Sequence, residues 1–239
     1  MSYLRYMFYN VFINFGAFTM SDIAFSTTAD NLTFSLVFDH DCSSPREENE
    51  GNIAHFFSNP HSRSGCVDSI DDSMAILSSL ANQLNVPDYH DLEQFELIRA
   101  IEKADPNKEL IVVEPLYKFE HSGVIYATTP FSCPWDSGQI GYIFSTVNDF
   151  KSVGLEWDVD KAKEYIKGEL DLYNNYISGE CFGFKVEEQS TCGSCTSVHE
   201  EELVAVWGYV GEQDQIIKMI AHDYLDSYPN LKQKVLEAI

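Results

Sequence analysis

Residues 115–144 form the stretch that most constrains how this chain can fold. The stretch is rich in aromatic, Gly, Ser and Thr residues, and between residues 121 and 148 the only formally charged side chain is Asp136. The whole chain of 239 residues has 38 acidic and 15 basic residues and a formal net charge of -23 at pH 7. Because a neutral, aromatic segment in so acidic a chain belongs in the interior or at a specialised surface, we expect it to lie at the centre of the fold.

Strand-like and helix-like patterns alternate along the chain without a regular βαβ rhythm. Strands are predicted at residues 31–38, 109–120, 124–129, 139–147, 181–186 and 203–210. Helices are predicted in two segments between residues 69 and 105, over residues 158–177, from residue 214 to about residue 228, and in a short tail. The simplest arrangement of the three central strands, at residues 109–120, 124–129 and 139–147, is an antiparallel meander. The sequence therefore predicts an α+β fold, with an antiparallel meander-type sheet packed by several amphipathic helices.

A chain of 239 residues, of which 44% are hydrophobic, is long enough to form one sizeable core. We expect an N-terminal extension at residues 1–30, followed by a single α+β domain over residues 31–239 with an acidic CxxC loop at residues 187–202. Residues 1–19 are apolar, but Asn10 and Asn14 interrupt the run, so an extension or an added strand or helix is favoured over a membrane anchor. The six widely spread cysteines indicate reduced thiols and a cytoplasmic protein.

The acidity of the chain disfavours one class of function and favours another. Direct binding to a nucleic-acid backbone is disfavoured because the phosphates would be repelled, whereas a basic partner would be attracted. Residues 64–98 contain seven acids and no Lys or Arg, and residues 180–214 contain eight acids and one lysine. The acids expected to contact a partner are Asp68, Asp71, Asp72, Asp88, Asp91, Glu93, Glu96, Glu187, Glu188, Glu200, Glu201 and Glu202. Charge that serves solubility alone is the alternative interpretation.

The candidates for catalysis are His121, Cys133 and Asp136. Cys133 and His121 could form a thiolate and base pair, with Asp136 orienting the imidazole. However, neither residue lies at a predicted helix start, and the loop shows no oxyanion hole. Trp135 and Phe131 suit a core or a ligand platform, and turns explain the neighbouring glycines. The pattern therefore favours a structural role for this segment.

The candidates for metal binding are Cys192, Cys195 and His199. CxxC is the usual half-site of a structural zinc, and His199 could supply a third ligand. The fourth ligand would have to be one of the distant thiols, Cys42, Cys66 or Cys181. A redox CxxC would require a helix start, which the pattern does not predict. We therefore expect an unliganded surface loop and no cofactor, with a structural zinc as the alternative.

The sequence HSGVIYATTPFSCPWDSGQIGYIF at residues 121–144 resembles the signature of an uncharacterised family that recurs in bacteriophages and other mobile elements. SPRE at residues 44–47, FGF at residues 182–184 and WGYVG at residues 207–211 resemble further elements of that family. The CxxC segment departs from it, as does Val206, where a cysteine would be expected before the Trp. The resemblance implies a phage or mobile-element origin and an accessory role, and it brings no catalytic residues with it.

Charge and resemblance together predict an accessory protein that binds and inhibits a host DNA-binding or defence protein, of restriction or CRISPR type, by mimicking the charge of DNA. Carboxylates spaced like phosphates, about 7 Å apart, should then form a salt-sensitive complex with a basic host protein. This hypothesis expects no enzymatic activity, no direct nucleic-acid binding and no membrane binding, in the cytoplasm of a host bacterial cell. The alternatives are a small Cys/His-dependent hydrolase or transferase and a zinc-binding or ligand-binding module.

Overall fold

The structure is a computed structural model that describes residues 22–47, 51–58, 70–194 and 197–239. In chain order its elements are β1 (Ile23–Ala29), β2 (Leu32–Phe38), β3 (His55–Ser58), α1 (Ile70–Gln83), α2 (Gln94–Ala104), β4 (Ile111–Glu120), β5 (Val124–Ala127), β6 (Ser137–Thr146), α3 (Val147–Ser152), α4 (Val159–Ser178), β7 (Cys181–Thr191), β8 (Val198–Val210), α5 (Gln213–Tyr224) and α6 (Pro229–Glu237). The strands form two four-stranded antiparallel sheets, which confirms the predicted α+β class.

The chain divides into two units. Unit 1 contains the chain up to residue 44 and from residue 175 onwards, and unit 2 contains residues 45–174. Unit 2 is therefore an insertion in the sequence of unit 1. Among the helices of the described residues, none combines the length and hydropathy that a membrane span requires.

Unit 1 is built on a sheet with the strand order β1-β2-β7-β8. Residues 23–29, which we predicted as part of the extension, form β1: Phe25 packs on Phe34 with 6.1 Å between the ring centroids, and Asp30, at φ 56°, makes the turn into β2. Asp tolerates this left-handed conformation better than most residues, so the turn fits the sequence. The core of unit 1 joins the sheet to α5 and α6 through Phe34, Leu36, Phe182, Phe184, Ile216, Ile217, Ile220, Leu231 and Val235.

Unit 2 is built on a sheet with the strand order β3-β6-β4-β5. The predicted meander is wrong in one respect: β6 pairs with β4 and not with β5, so β4 is central. The reason is strand length, because β5 offers only four paired positions, whereas β6 matches β4 from Ile111 to Phe119. β3 was not among the predicted strands, since its four residues are too few to show a period.

Helices contact both faces of the sheet of unit 2. Phe57 of β3 packs with Leu77 of α1 and Leu97 of α2, whereas the ring of the preceding residue, Phe56, lies 5.8 Å from the ring of Tyr173 of α4. Because successive strand residues point to opposite faces, α1 and α2 contact one face and α4 contacts the other. The predicted apolar stripe of α4 is confirmed, with Ala162, Ile166, Leu170 and Tyr173 buried.

Candidate functional site

Residues 187–192 and 197–202, which we name the acidic hairpin, are paired strands and not the predicted loop. β7 continues to Thr191 and β8 begins at Val198, with Glu187 opposite Glu202, Glu188 opposite Glu201 and Gln189 opposite Glu200. β2 accompanies β7 only as far as Glu188, so beyond this point the two strands pair with each other alone. The amide of Cys192 donates to the carbonyl of Ser197, with 2.9 Å between N and O, and joins the strands near the tip.

Glutamates face glutamates on both sides of the acidic hairpin. Directly opposite residues in an antiparallel pair have Cβ atoms about 5 Å apart, and like charges in this position destabilise the sheet. Lys185 offsets the repulsion at Glu187, because its Nζ lies 2.8 Å from Glu187 Oε1. Glu188 Oε1 accepts a hydrogen bond of 2.6 Å from the side-chain Nδ2 of Asn31. Three glutamates of β8, namely Glu200, Glu201 and Glu202, are exposed, with no basic partner among the described residues. The acidic hairpin therefore concentrates negative charge that the fold does not neutralise.

The acids predicted around the first two helices belong to unit 2, and two of them have a local role. Glu93 and Glu96 form a capping box at the start of α2, with 3.3 Å between the Glu93 amide nitrogen and Glu96 Oε2. Asp88 precedes a short 3-10 helix that includes Asp91, and both are exposed, as is Asp72. Asp68 and the side chain of Asp71 lie outside the described residues.

Asp136 brings the three predicted catalytic residues together. Cys133 Sγ lies 3.5 Å from Asp136 Oδ2, and His121 Nδ1 lies 3.3 Å from the same oxygen. The carboxylate therefore lies between the thiol and the imidazole, whereas general-base activation of a thiol requires the imidazole next to it. The described contacts include no hydrogen bond between Cys133 and His121. His121 is also 70% exposed in its side chain, so the group lies at the surface.

The loop at residues 128–136, between β5 and β6, leaves the ring of Trp135 in solvent. Trp135 is 92% exposed, although the backbone around it is ordered by hydrogen bonds from the Glu120 amide to the Asp136 carbonyl, 2.8 Å, and from Ser137 Oγ to the Cys133 carbonyl, 2.5 Å. The expectation of a central neutral segment is therefore met only in part: the strand residues Ile143 and Phe144 are buried, and the loop is not. The other platform candidate, Phe131, packs on Phe119 with 5.5 Å between the ring centroids.

The predicted zinc ligands can be placed only in part. Cys195 lies outside the described residues, Cys192 is half-buried, and His199 Nε2 lies 3.2 Å from Ser197 Oγ. Within the described part of the chain, no group of three or more His, Cys, Asp and Glu side chains could hold a metal ion. The zinc hypothesis depends on Cys195 and stays a prediction.

A buried ion pair that the sequence interpretation missed connects the SPRE element to α4. Arg46 Nη1 lies 2.6 Å from Glu169 Oε2, and Arg46 Nη2 donates to the Ala54 carbonyl at 2.6 Å. The guanidinium also lies 4.1 Å from the centroid of the Phe56 ring. Burial raises the pKa of Glu169, and Arg46 with the amides of Ile53 and Ala54 opposes this. Because Glu169 lies three residues after Ile166 of the buried stripe, a charged residue on an apolar face was the signal that could have revealed it.

A second His and Asp pair joins β3 to the start of α3. His55 Nε2 lies 3.0 Å from Asp149 Oδ1, and Asp149 also closes a capping box with Thr146. Burial acts to raise the pKa of Asp149, but the hydrogen bond and charge of His55, together with the hydrogen bonds from Thr146, outweigh burial and lower it. The imidazole stacks on Phe144, with 4.9 Å between the ring centroids. The pair therefore anchors an edge strand to a helix end.

Comparison of the chain with known proteins finds no matching family model, no matching curated protein and no matching solved structure. The resemblance of residues 121–144 to the mobile-element family therefore stays a prediction.

Proposed function

We propose that this chain is a non-enzymatic binding protein that occupies the basic surface of a nucleic-acid-binding protein through the acidic hairpin. Combined with the resemblance of the signature, the proposal is that a bacteriophage or mobile element produces the chain in the bacterial cytoplasm. Its partner is then a host DNA-binding or defence protein, of restriction or CRISPR type, which is inhibited by mimicry of DNA charge.

The observation that carries the proposal is the pairing of Glu188 with Glu201 and of Glu187 with Glu202. Each like-charged pair lowers the stability of the sheet, and the partners of Glu187 and Glu188 leave Glu201 and Glu202 with no basic partner among the described residues. A basic partner removes the repulsion when it binds, because its cations lie between the carboxylates. Charge for solubility alone does not require acids on directly opposite positions, since scattered charges serve that purpose equally well.

The spacing of the acidic hairpin supports mimicry of a nucleic-acid strand. Glu200 and Glu202 are two residues apart on β8 and share a face of the strand, which puts their Cα atoms about 6.8 Å apart. Successive phosphates along one DNA strand are about 7 Å apart. A protein groove that holds phosphates at this interval can hold the glutamates in the same way, and the complex should dissociate as salt rises.

The experiment is affinity capture from a bacterial lysate, with the tagged chain as bait, at low and high salt. The test variant carries Gln at Glu200, Glu201 and Glu202. The matched control carries Gln at the exposed acids Glu109, Glu156 and Glu237, so both variants differ from the native chain by the same charge. We expect basic, nucleic-acid-binding proteins to be captured at low salt by the native chain and by the control, and not by the test variant.

The proposal fails if both variants capture the same proteins, or if the captured proteins are acidic or are retained at high salt. Mimicry is tested separately by adding duplex DNA to the purified complex. Displacement of the chain by DNA supports mimicry. A complex that DNA leaves intact shows binding at another surface of the partner and rejects the mimicry.

A further inference from the structure

β8 is the last strand of the sheet of unit 1, and its outer edge is open along the acidic hairpin. β8 pairs with β7 alone, and the sheet ends with it. In the part of the chain that the structure describes, no backbone hydrogen bond reaches that edge between residues 198 and 206. The side chains of residues 198–203 are exposed, so a further strand has access to the edge. Such an edge presents a row of unpaired amides and carbonyls, which is a template for pairing with another chain.

The fold closes a comparable edge in unit 2. β5 is the last strand of that sheet, and the side chain of Asn174 covers its backbone at Tyr126. Asn174 Oδ1 accepts a hydrogen bond of 2.9 Å from the Tyr126 amide, and Asn174 Nδ2 donates one of 2.8 Å to the Tyr126 carbonyl. One side chain therefore takes the place of an added strand. The described contacts include no such side chain for residues 198–206, and the bond from the Gly208 amide to the Asp39 carboxylate, 3.0 Å, lies beyond them.

A bulge sets the length of the edge that a strand could use. The register of β7 and β8 shifts between Val186 and Glu187, which leaves Leu203 without a residue opposite it. A bulge of this kind bends the strand and interrupts regular pairing. Residues 198–202 form the regular run that ends at the bulge, and at about 3.4 Å per residue they span about 17 Å. This is the length of an ordinary strand.

The charge of this run decides what can pair with it. Glu200 and Glu202 share one face of β8, and Glu201 lies on the other. Residues of an added strand would lie about 5 Å from them, so acidic segments are repelled, whereas lysine and arginine are attracted. A second copy of this chain is disfavoured, because antiparallel pairing of two copies of this run brings the same glutamates together. The edge therefore selects an extended basic segment over other strands.

We propose that the acidic hairpin binds its partner by strand addition, with an extended basic segment of the partner pairing along residues 198–202. This inference rests on the proposed function and names the element of the partner that is recognised. Main-chain hydrogen bonds supply affinity, and basic side chains at alternate positions face Glu200 and Glu202. Unstructured basic arms are typical of proteins that bind nucleic acids, so a partner of the proposed kind can provide such a segment.

The test is hydrogen exchange of the isotope-labelled full chain, followed by NMR, with a synthetic peptide of alternating lysine and threonine as the probe. In the free chain β7 protects one alternate set of β8 amides. The other set, either residues 198, 200 and 202 or residues 199 and 201, should exchange fast. We expect the peptide to slow exchange of this fast set, because its backbone accepts hydrogen bonds from these amides.

The matched control peptide has proline in place of threonine, so its charge and length are kept while backbone donors are lost. We expect it to bind at least about tenfold more weakly in fluorescence anisotropy, since the loss of two main-chain hydrogen bonds of ordinary strength corresponds to that factor or more. Both peptides are tested on the native chain, so the comparison does not depend on the folding of a variant.

Strand addition is overturned if the lysine and threonine peptide does not bind, if the two peptides bind equally, or if exchange in β8 is unchanged in the complex. Salt-sensitive binding of both peptides with equal affinity would still support the acidic hairpin as a charged surface, so the proposed function would survive that result. Exchange of the fast set that slows with protein concentration, without peptide, would show a second copy at the edge and would also overturn the inference. Protection by the peptide, with no basic protein captured from the lysate, would support strand addition and reject the proposed host target.

Discussion

Replacement of Glu201 by lysine should stabilise unit 1 while it weakens binding of a basic partner. Glu201 lies directly opposite Glu188, whose hydrogen-bond donor, the side chain of Asn31, is uncharged and leaves the repulsion between the two carboxylates in place. An opposite-charge cross-strand pair contributes about 0.2–1 kcal/mol, and like charges act in the other direction. Removal of the repulsion and addition of the attraction should therefore raise the free energy of unfolding by about 0.4–2 kcal/mol.

Two matched variants show whether the gain comes from this pair. Glu202→Lys lies opposite Glu187, whose Oε1 is already 2.8 Å from Lys185 Nζ, so the new lysine would share its partner and should stabilise less. Glu156→Lys makes the same change of charge in an exposed loop of unit 2 and should leave unit 1 unchanged.

The assay is urea unfolding followed by the fluorescence of Trp207, which lies in unit 1, with the other two tryptophans replaced by Phe. The gain of Glu201→Lys should shrink in 1 M salt, where the screening length is about 3 Å. If Glu201→Lys is no more stable than the parent at low salt, or if Glu202→Lys gains more, then carboxylate repulsion does not act across β7 and β8. The main support for the proposed function would then be lost.

Three further predictions concern other polar groups. Arg46→Met should lower stability by about 3–5 kcal/mol in urea unfolding, because it leaves a buried carboxylate without its cation. Since burial raises the pKa of Glu169 above 4.5, the loss should be smallest below that pH and should grow as pH rises. His55 and Thr146 lower the pKa of Asp149 despite burial, so the contribution of this carboxylate to the free energy of unfolding should be lost as pH falls below 3.8. Asp149→Asn should therefore make the free energy of unfolding depend less on pH in this acidic range. Cys133→Ala should leave folding and partner capture unchanged, whereas loss of a measurable hydrolytic activity in this variant would favour the enzyme hypothesis.

Elements with a long apolar period could be predicted from the sequence, and short or polar ones could not. The stripe of α4 is visible because its buried residues recur over 20 residues. β3 has four residues, and the alternation within Ile23–Ala29 is weak, so neither strand could be separated from a loop. The order of β4, β5 and β6 depends on which pair forms the longer ladder, and local patterns do not encode this.

The candidate sites show the same limit, because they depend on contacts between distant residues. Charge clustering identified the acidic hairpin, but the cross-strand register that puts Glu188 opposite Glu201 follows from a bulge between Val186 and Glu187. The sequence offered Cys133 and His121 as a possible thiolate and base pair with Asp136 behind the imidazole, and only the structure shows that the carboxylate of Asp136 lies between the other two.

The two acidic segments differ in what their carboxylates do for the fold, and this difference indicates where a partner binds. Glu93 and Glu96 satisfy backbone amides at the start of α2, so their amide variants should weaken that helix. Glu188 and Glu201 repel each other across a ladder, so their amide variants should strengthen it. Local rules are kept where a residue serves stability and are broken where it serves another task. The acidic hairpin, rather than α1 and α2, is therefore the surface on which we expect the basic partner.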